Sequence, residues 1–146
     1  MIIPDSVTSI GGTAFEHCYS LTSVGIGNGV TSIGPSAFYG CRSLTSVVIG
    51  NSVTSISNGA FCDCSSLTSV IIPDNVTSIG DWAFDGCGRL KSVYYKGTAS
   101  EWSAISIGKN NSPLTNATRY YYSETEPTED GKYWHYDEQG AIVVWA

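Results

Sequence analysis

Apolar residues return along this chain with a fixed beat of 23 positions. Phe15, Phe38, Phe61 and Phe84 keep that interval, each preceded by alanine, and so do Ile10, Ile33, Ile56 and Ile79, Leu21, Leu44, Leu67 and Leu90, and Cys18, Cys41, Cys64 and Cys87. A period this strict predicts a solenoid, because a unit this short cannot bury its own apolar face and must bury it against its neighbours.

Within one unit, Leu-Thr-Ser-Val-x-Ile (Leu21–Ile26, Leu44–Ile49, Leu67–Ile72) ends in an apolar alternation that reads as a short strand with Leu, Val and Ile inward. A turn spelled GNG, GNS or PDN follows, rich in residues that supply preset or left-handed backbone angles. Val-Thr-Ser-Ile (Val30–Ile33, Val53–Ile56, Val76–Ile79) reads as a second extended piece. Gly-x-x-Ala-Phe and a polar pair then lead to the cysteine, with room for one or two turns of helix or 3₁₀. Each coil is expected to bury a set such as Leu44, Val47, Ile49, Val53, Ile56, Ala60, Phe61 and Cys64, with coils about 4.8 Å apart where strands pair. The predicted fold is a mainly β repeat solenoid of four 23-residue coils over residues 1–95. Ile3 aligns with Ile26, Ile49 and Ile72, so the chain opens in mid-strand. This reads as a fragment whose uncapped N-terminal coil self-associates weakly through its free edge.

After Tyr95 the period breaks. Thr98-Ala-Ser-Glu101 has the form of a capping box, which predicts a short helix with Trp102 and Ile105 on its inner side. Pro113 falls in an expected loop and Tyr120–Tyr122 in a strand. Residues 96–123 therefore read as a C-terminal cap, 124–131 (ETEPTEDG) as an acidic, solvated linker, and 132–146 as an aromatic hairpin about the turn Asp137–Gly140.

Charge and motif content narrow the function classes. A net charge of −6 with 14% charged residues leaves no basic patch for nucleic acid. No stretch approaches the roughly 18 apolar residues of a membrane span. The motifs G-x-S-x-G, H-E-x-x-H, the P-loop and the calcium loop are missing, so no catalytic residue, cofactor or metal is assigned. Ser23, Ser46, Ser69 and Ser92 recur with the repeat, whereas a catalytic serine would be singular. Four of the five cysteines share one repeat position, which suits a stack of buried thiols. Disulfides between coils would need better Cβ geometry than parallel side chains give. Cys62 and Cys64 could hold zinc only with further ligands, which His17 and His135 are not placed to supply. The repeated Thr-Ser rows suggest ice binding less than a T-x-T face would.

The stretch SLTSVIIPDNVTSIGDWAFDGC (Ser66–Cys87) matches L-x-x-L-x-L/I-P-x-x-V-x-x-I-x-x-x-A-F-x-x-C nearly position by position, and the likeness runs over residues 2–95. On these residues the chain resembles the BspA-like, or Treponema pallidum-type, leucine-rich repeats. The resemblance implies a leucine-rich-repeat-like right-handed superhelix and a non-enzymatic, extracellular or cell-surface protein of bacteria, adhesive in some members. Here the cysteine precedes the strand and no N/C-x-L follows it, so the asparagine ladder of commoner leucine-rich repeats is not carried over. Residues 96–123 resemble the segment that ends such arrays in gut-bacterial members. The hairpin GKYWHYDEQGAIVVW resembles one copy of the aromatic cell-wall-binding repeat of Gram-positive surface proteins, which holds choline or glucan between consecutive copies. With a single copy, the alternatives are a glycan site on Trp134 and Tyr136, or Trp134 and Trp145 packed on the cap.

Binding specificity must lie where the repeats differ. Gly25, Val48, Ile71 and Tyr94 occupy the outward strand position and predict an exposed apolar stripe beside Lys91, suited to a host or bacterial surface protein or a glycan. The variable loops add Tyr19, Tyr39, Arg42 and Arg89 as binding candidates, with Glu16, His17, Asp63 and Asp85 around them. A passive spacer is the competing reading.

Overall fold

The structure, a computed structural model, describes all 146 residues. Each coil contributes two short strands: β1 (Ile2–Ile3) and β2 (Ser9–Ile10), β3 (Ser23–Ile26) and β4 (Ser32–Ile33), β5 (Ser46–Val48) and β6 (Ser55–Ile56), β7 (Ser69–Ile72) and β8 (Ser78–Ile79), β9 (Ser92–Tyr95) and β10 (Ser106–Ile107). The odd strands pair in parallel into one sheet and the even strands into a second, in the order β10-β8-β6-β4-β2. Pairs sit in register at equal repeat positions, as in Val24↔Val47 and Val70↔Val93. Between the sheets lies one core of 31 buried residues, in which Leu44, Ile49, Val53, Ala60, Phe61 and Cys64 are wholly enclosed.

The stretch after each even strand forms turns rather than helix. Two residues per coil take positive φ: Thr13, Ser36, Gly59 and Trp82 at one position, and His17, Gly40, Asp63 and Gly86 at the other. The alternation aims every second amide at the next coil. Phe15, Phe38 and Phe61 N–H donate to the carbonyls of Ala37, Ala60 and Ala83 at 2.7–2.8 Å, giving the solenoid a third hydrogen-bonded wall. Gly27 and Gly50 are required by proximity, since a Cβ on either would run into the carbonyl of the coil before it.

Side chains add their own ladders. Threonine hydroxyls donate to the carbonyl one coil back, Thr45 to Thr22 at 3.0 Å and Thr77 to Thr54 at 3.2 Å, so they are turned to the protein rather than offered to ice. Although no asparagine ladder was expected, short ones exist. Asn28 N–H donates to Asp5 Oδ1 at 2.8 Å and Asn51 N–H to Asn28 Oδ1 at 3.0 Å. They form because the turn's Asx side chain can substitute for a carbonyl toward the next coil.

All five cysteines are free thiols. Cys41, Cys64 and Cys87 donate S–H to the carbonyls of Phe15, Phe38 and Phe61 at 3.1–3.2 Å, which points each sulfur at backbone rather than at the next sulfur. Burial raises the Cys87 thiol to about 12 and Cys62 to about 11, and pushes Cys64 up further. An unfolded thiol ionises near about 8.5. Below that pH both states keep the proton. Between there and about pH 12 only the unfolded chain releases it, so stability falls as pH rises, by up to about 1.4 kcal/mol per pH unit for each buried thiol. Denaturant melts from pH 7 to 11 should show this loss, and Cys87→Ala should flatten the slope while lowering stability at pH 7.

Past Tyr95 the winding continues for a fifth, altered coil. The helix α1 (Ala99–Ser103) starts at the Thr98/Glu101 capping box, with Trp102 buried, and β10 returns to the second sheet against β8. Pro113 does not lie in a loop but opens a second short helix, α2 (Ser112–Asn116), where proline's missing amide would have no partner in any case. Asn111 is the one buried polar residue. Its Oδ1 accepts Phe84 N–H at 3.0 Å, where the next coil's carbonyl would stand, and its Nδ2 donates to Gly80 O at 2.9 Å. Strands β11 (Thr118–Tyr122), β12 (Tyr133–Tyr136) and β13 (Ile142–Val144) then extend the first sheet to eight strands, all parallel except the β12–β13 hairpin.

Candidate functional site

Strand alternation turns Val24, Val47, Val70 and Val93 into the core and their successors outward. Gly25, Val48, Ile71 and Tyr94 lie side by side in register, and Tyr120 of β11 continues the row. The row is not uniformly open. Val48 is 40% exposed, but Ile71, expected on an exposed stripe, is only 5% exposed. It is flanked by Val48 and the bulkier Tyr94, and the Lys96 side chain crosses its coil to donate from Nζ to Asn51 Oδ1 at 2.9 Å.

The hairpin closes the C-terminal part of this face. Tyr94 stacks on Tyr120 at 5.3 Å. Trp134 meets Tyr94, Tyr122 and Tyr136 edge-on at 5.6, 5.1 and 5.0 Å, and its Nε1–H donates to Tyr95 O at 2.8 Å. Trp134 is thereby wholly enclosed, so it is no contact residue but the centre of a second small core on the outer face. Trp145 stacks on His135 at 4.1 Å and donates to Ser123 O at 2.9 Å. Of the two readings of these tryptophans, packing is the one adopted.

Tyr136 stays partly exposed at the edge of that core, with Lys96 Nζ 5.6 Å from its ring centroid. Asn51, Asp74, Lys96, Tyr122 and Tyr136 line a shallow recess of about 350 Å³. Burial holds the Lys96 ammonium below the usual lysine range, against the pull of Asp74. Sequence reasoning passed over Asn51, Asp74, Lys96 and Tyr122. The signal was there: PDN replaces GNS at Pro73–Asn75, and Lys96 stands where the other coils carry Pro4, Gly27, Gly50 and Pro73.

The variable loops make a second, smaller cluster. His17 lies 5.5 Å from Tyr19 and 5.2 Å edge-on from Tyr39, and the Arg42 guanidinium is 5.9 Å from the centre of the Tyr19 ring. The Asp63 carboxylate raises the Tyr39 phenol above its ordinary value. Tyr19, Tyr39 and Arg42 are thus brought together, while Arg89 and Lys91 are exposed farther along the solenoid. Nowhere do three His, Cys, Asp or Glu side chains converge as metal ligands would. No helix is long and apolar enough to cross a membrane.

A leucine rich repeat protein of T. pallidum shares this fold with a TM-score of 0.68 at 24% identity, over 84% of this chain and 57% of its own. A leucine rich cell surface protein of Faecalibacterium prausnitzii A2-165 is 33% identical, with a TM-score of 0.56 over 73% of this chain and 34% of its own. A leucine-rich repeat protein of Bacteroides capillosus ATCC 29799 is 32% identical, with a TM-score of 0.54 over 62% of this chain and 64% of its own. The chain thus spans 57% and 34% of the first two of these proteins. No curated protein matches the sequence. Residues 1–111 match the BspA type leucine rich repeat region in six copies, and the chain belongs to that family.

Proposed function

We propose that this chain is a non-catalytic interaction module of a bacterial surface protein, presenting the outer face of its eight-stranded sheet to a protein or glycan outside the cell. One observation carries the reading: a rigid, hydrogen-bonded face bears Val48, Tyr94, Tyr120 and Tyr136 in a non-repeated arrangement, beside the Tyr19–Tyr39–Arg42 cluster. Aromatic and arginine side chains on a preorganised surface are the usual anchors of binding. The surface character of the F. prausnitzii relative supports the extracellular setting. A passive spacer would have no use for exposed Tyr19, Arg42 and Val48 beside the half-buried rings of Tyr94, Tyr120 and Tyr136.

The test is retention of the chain on immobilised mucin and on epithelial-cell monolayers, against an albumin-coated control. The wild type should be retained. Val48→Glu and Arg42→Glu, both at exposed positions, should lower retention about ten-fold or more. Equal retention of all three proteins, or none, would leave the spacer reading in place. Sizing across a dilution series belongs to the same experiment. The first coil leaves Ile2 79% exposed beside an apolar hollow lined by Ile3, Val7, Ile10 and Phe15, and we place weak self-association there.

A further inference from the structure

We infer that the recess between the solenoid rim and the hairpin is a subsite for a neutral hexose unit of a glycan, recognised through a pair of adjacent hydroxyls. The inference rests on the interaction-module reading and gives one part of the face a ligand class. The recess is where two repeated features fail together, beside a Pro-Asp turn that the chain otherwise has only at Pro4-Asp5. The Asx ladder that runs Asp5, Asn28, Asn51 stops there: Asn51 Oδ1 accepts from the Lys96 ammonium instead of from the next coil's amide. The turn changes to Pro73-Asp74-Asn75. Lys96 follows the next strand, β9, where other coils have glycine or proline. Tyr122 and Tyr136, brought by β11 and β12, wall the other side.

The chemistry of the lining selects the ligand. Lys96 has one side-chain partner, Asn51, and no carboxylate within ion-pair distance, so two of its three N–H donors are left for a ligand. Asp74 offers acceptors only. A hydroxyl can accept from Lys96 and donate to Asp74 at once, and two neighbouring hydroxyls can divide those roles. The tyrosine rings meanwhile supply apolar surface for the C–H faces of a sugar ring. Other ligand classes fit worse. An anion would meet Asp74 in the recess and Glu124, 3.4 Å from the Tyr122 hydroxyl, on a chain of net charge −6. A cation would compete with Lys96, already placed over the Tyr136 ring. A wholly apolar ligand would bury Lys96 and Asp74 without partners. A volume of about 350 Å³ lies at the small end of ligand sites and suits one or two sugar units.

The experiment is titration calorimetry and saturation-transfer NMR on the full chain with cellotetraose, mannotetraose and β-1,4-galactotetraose as neutral probes and trigalacturonate as the charged one. At least one neutral probe should bind. Asp74→Asn and Lys96→Gln, each removing one charge at the solenoid rim, should both weaken that binding about ten-fold or more, with the circular dichroism spectrum unchanged. Glu129→Gln, in the exposed linker, should leave it intact. The inference is overturned if no neutral probe binds, if trigalacturonate binds as tightly as the best neutral probe, or if both rim variants bind like wild type. Failure here with Val48→Glu-sensitive retention on mucin or cells still standing would remove the sugar subsite and keep the interaction module. Loss of both would remove the two readings together.

Discussion

Phe61→Ala lowers the free energy of unfolding by about 3–5 kcal/mol, and Phe15→Ala by clearly less. The four phenylalanines form one continuous stack, with centroids 5.1, 5.2 and 5.3 Å apart and interplanar angles of 11°, 4° and 19°. Phe61 is wholly enclosed with a ring on each side, so truncation opens a cavity that neighbouring coils, pinned by three hydrogen-bonded walls, cannot collapse into. Phe15 is partly exposed and has a ring on one side only. Its removal deletes less buried surface and leaves a gap that solvent can fill. Urea melts of both variants measure the difference. Equal losses would contradict a one-dimensional stack in which each coil rests only on its neighbours.

Trp134→Ala undocks the hairpin, with an expected loss of about 3–5 kcal/mol confined to the C-terminal end. The indole is the common partner of Tyr94, Tyr122 and Tyr136 and the sole side-chain donor to the Tyr95 carbonyl. Without it, β12 keeps a short parallel pairing to β11, Tyr121↔Tyr133 and Tyr122↔Trp134, and the Tyr136 ring beside Lys96 and Tyr122. Amide exchange in Tyr133–Tyr136 and Ile142–Val144 should accelerate, and protease should cut within residues 124–131. Protection in β3, β5 and β7 should stay as it was, because local opening at one end of a solenoid need not propagate. Uniform loss of protection along the whole chain would show that the hairpin core is not a separate unit. Tyr122 and Tyr136 also wall the sugar recess, so the same variant should abolish any binding there.

The repeated core was legible because a period is a tertiary statement written in one dimension. If Phe38, Phe61 and Phe84 recur at the same place in identical units, stacking the units must stack the rings. The candidate site was legible only in part. Tyr19, Tyr39 and Arg42 stood out because they break the repeat, and the structure brings them together around His17. Ile71 was misplaced, and Trp134 left between two readings, for one reason: a local pattern gives the side of the sheet a residue faces, not what lies on that side. Lys96 reaching across a coil and a hairpin folding back over β9 are contacts between non-repeated segments 39 to 45 residues apart. No local pattern encodes them.

By itself, then, the sequence determined the coil, its inward residues, the capping box at Thr98 and the family. Each of these follows from local periodicity or from spacing within a single turn. The tertiary structure alone decided that Thr13, His17, Ser36, Asp63 and Trp82 take the left-handed backbone that Gly40, Gly59 and Gly86 adopt at the same repeat positions. Stacking enforces it, because only that conformation lets the intervening amides meet the next coil's carbonyls. It also decided that Asn111 would end the third wall, and that cap and hairpin would extend the first sheet rather than form separate modules. An open parallel edge after β9 has unpaired donors and acceptors, and any following segment able to lie extended lowers the free energy by pairing with it.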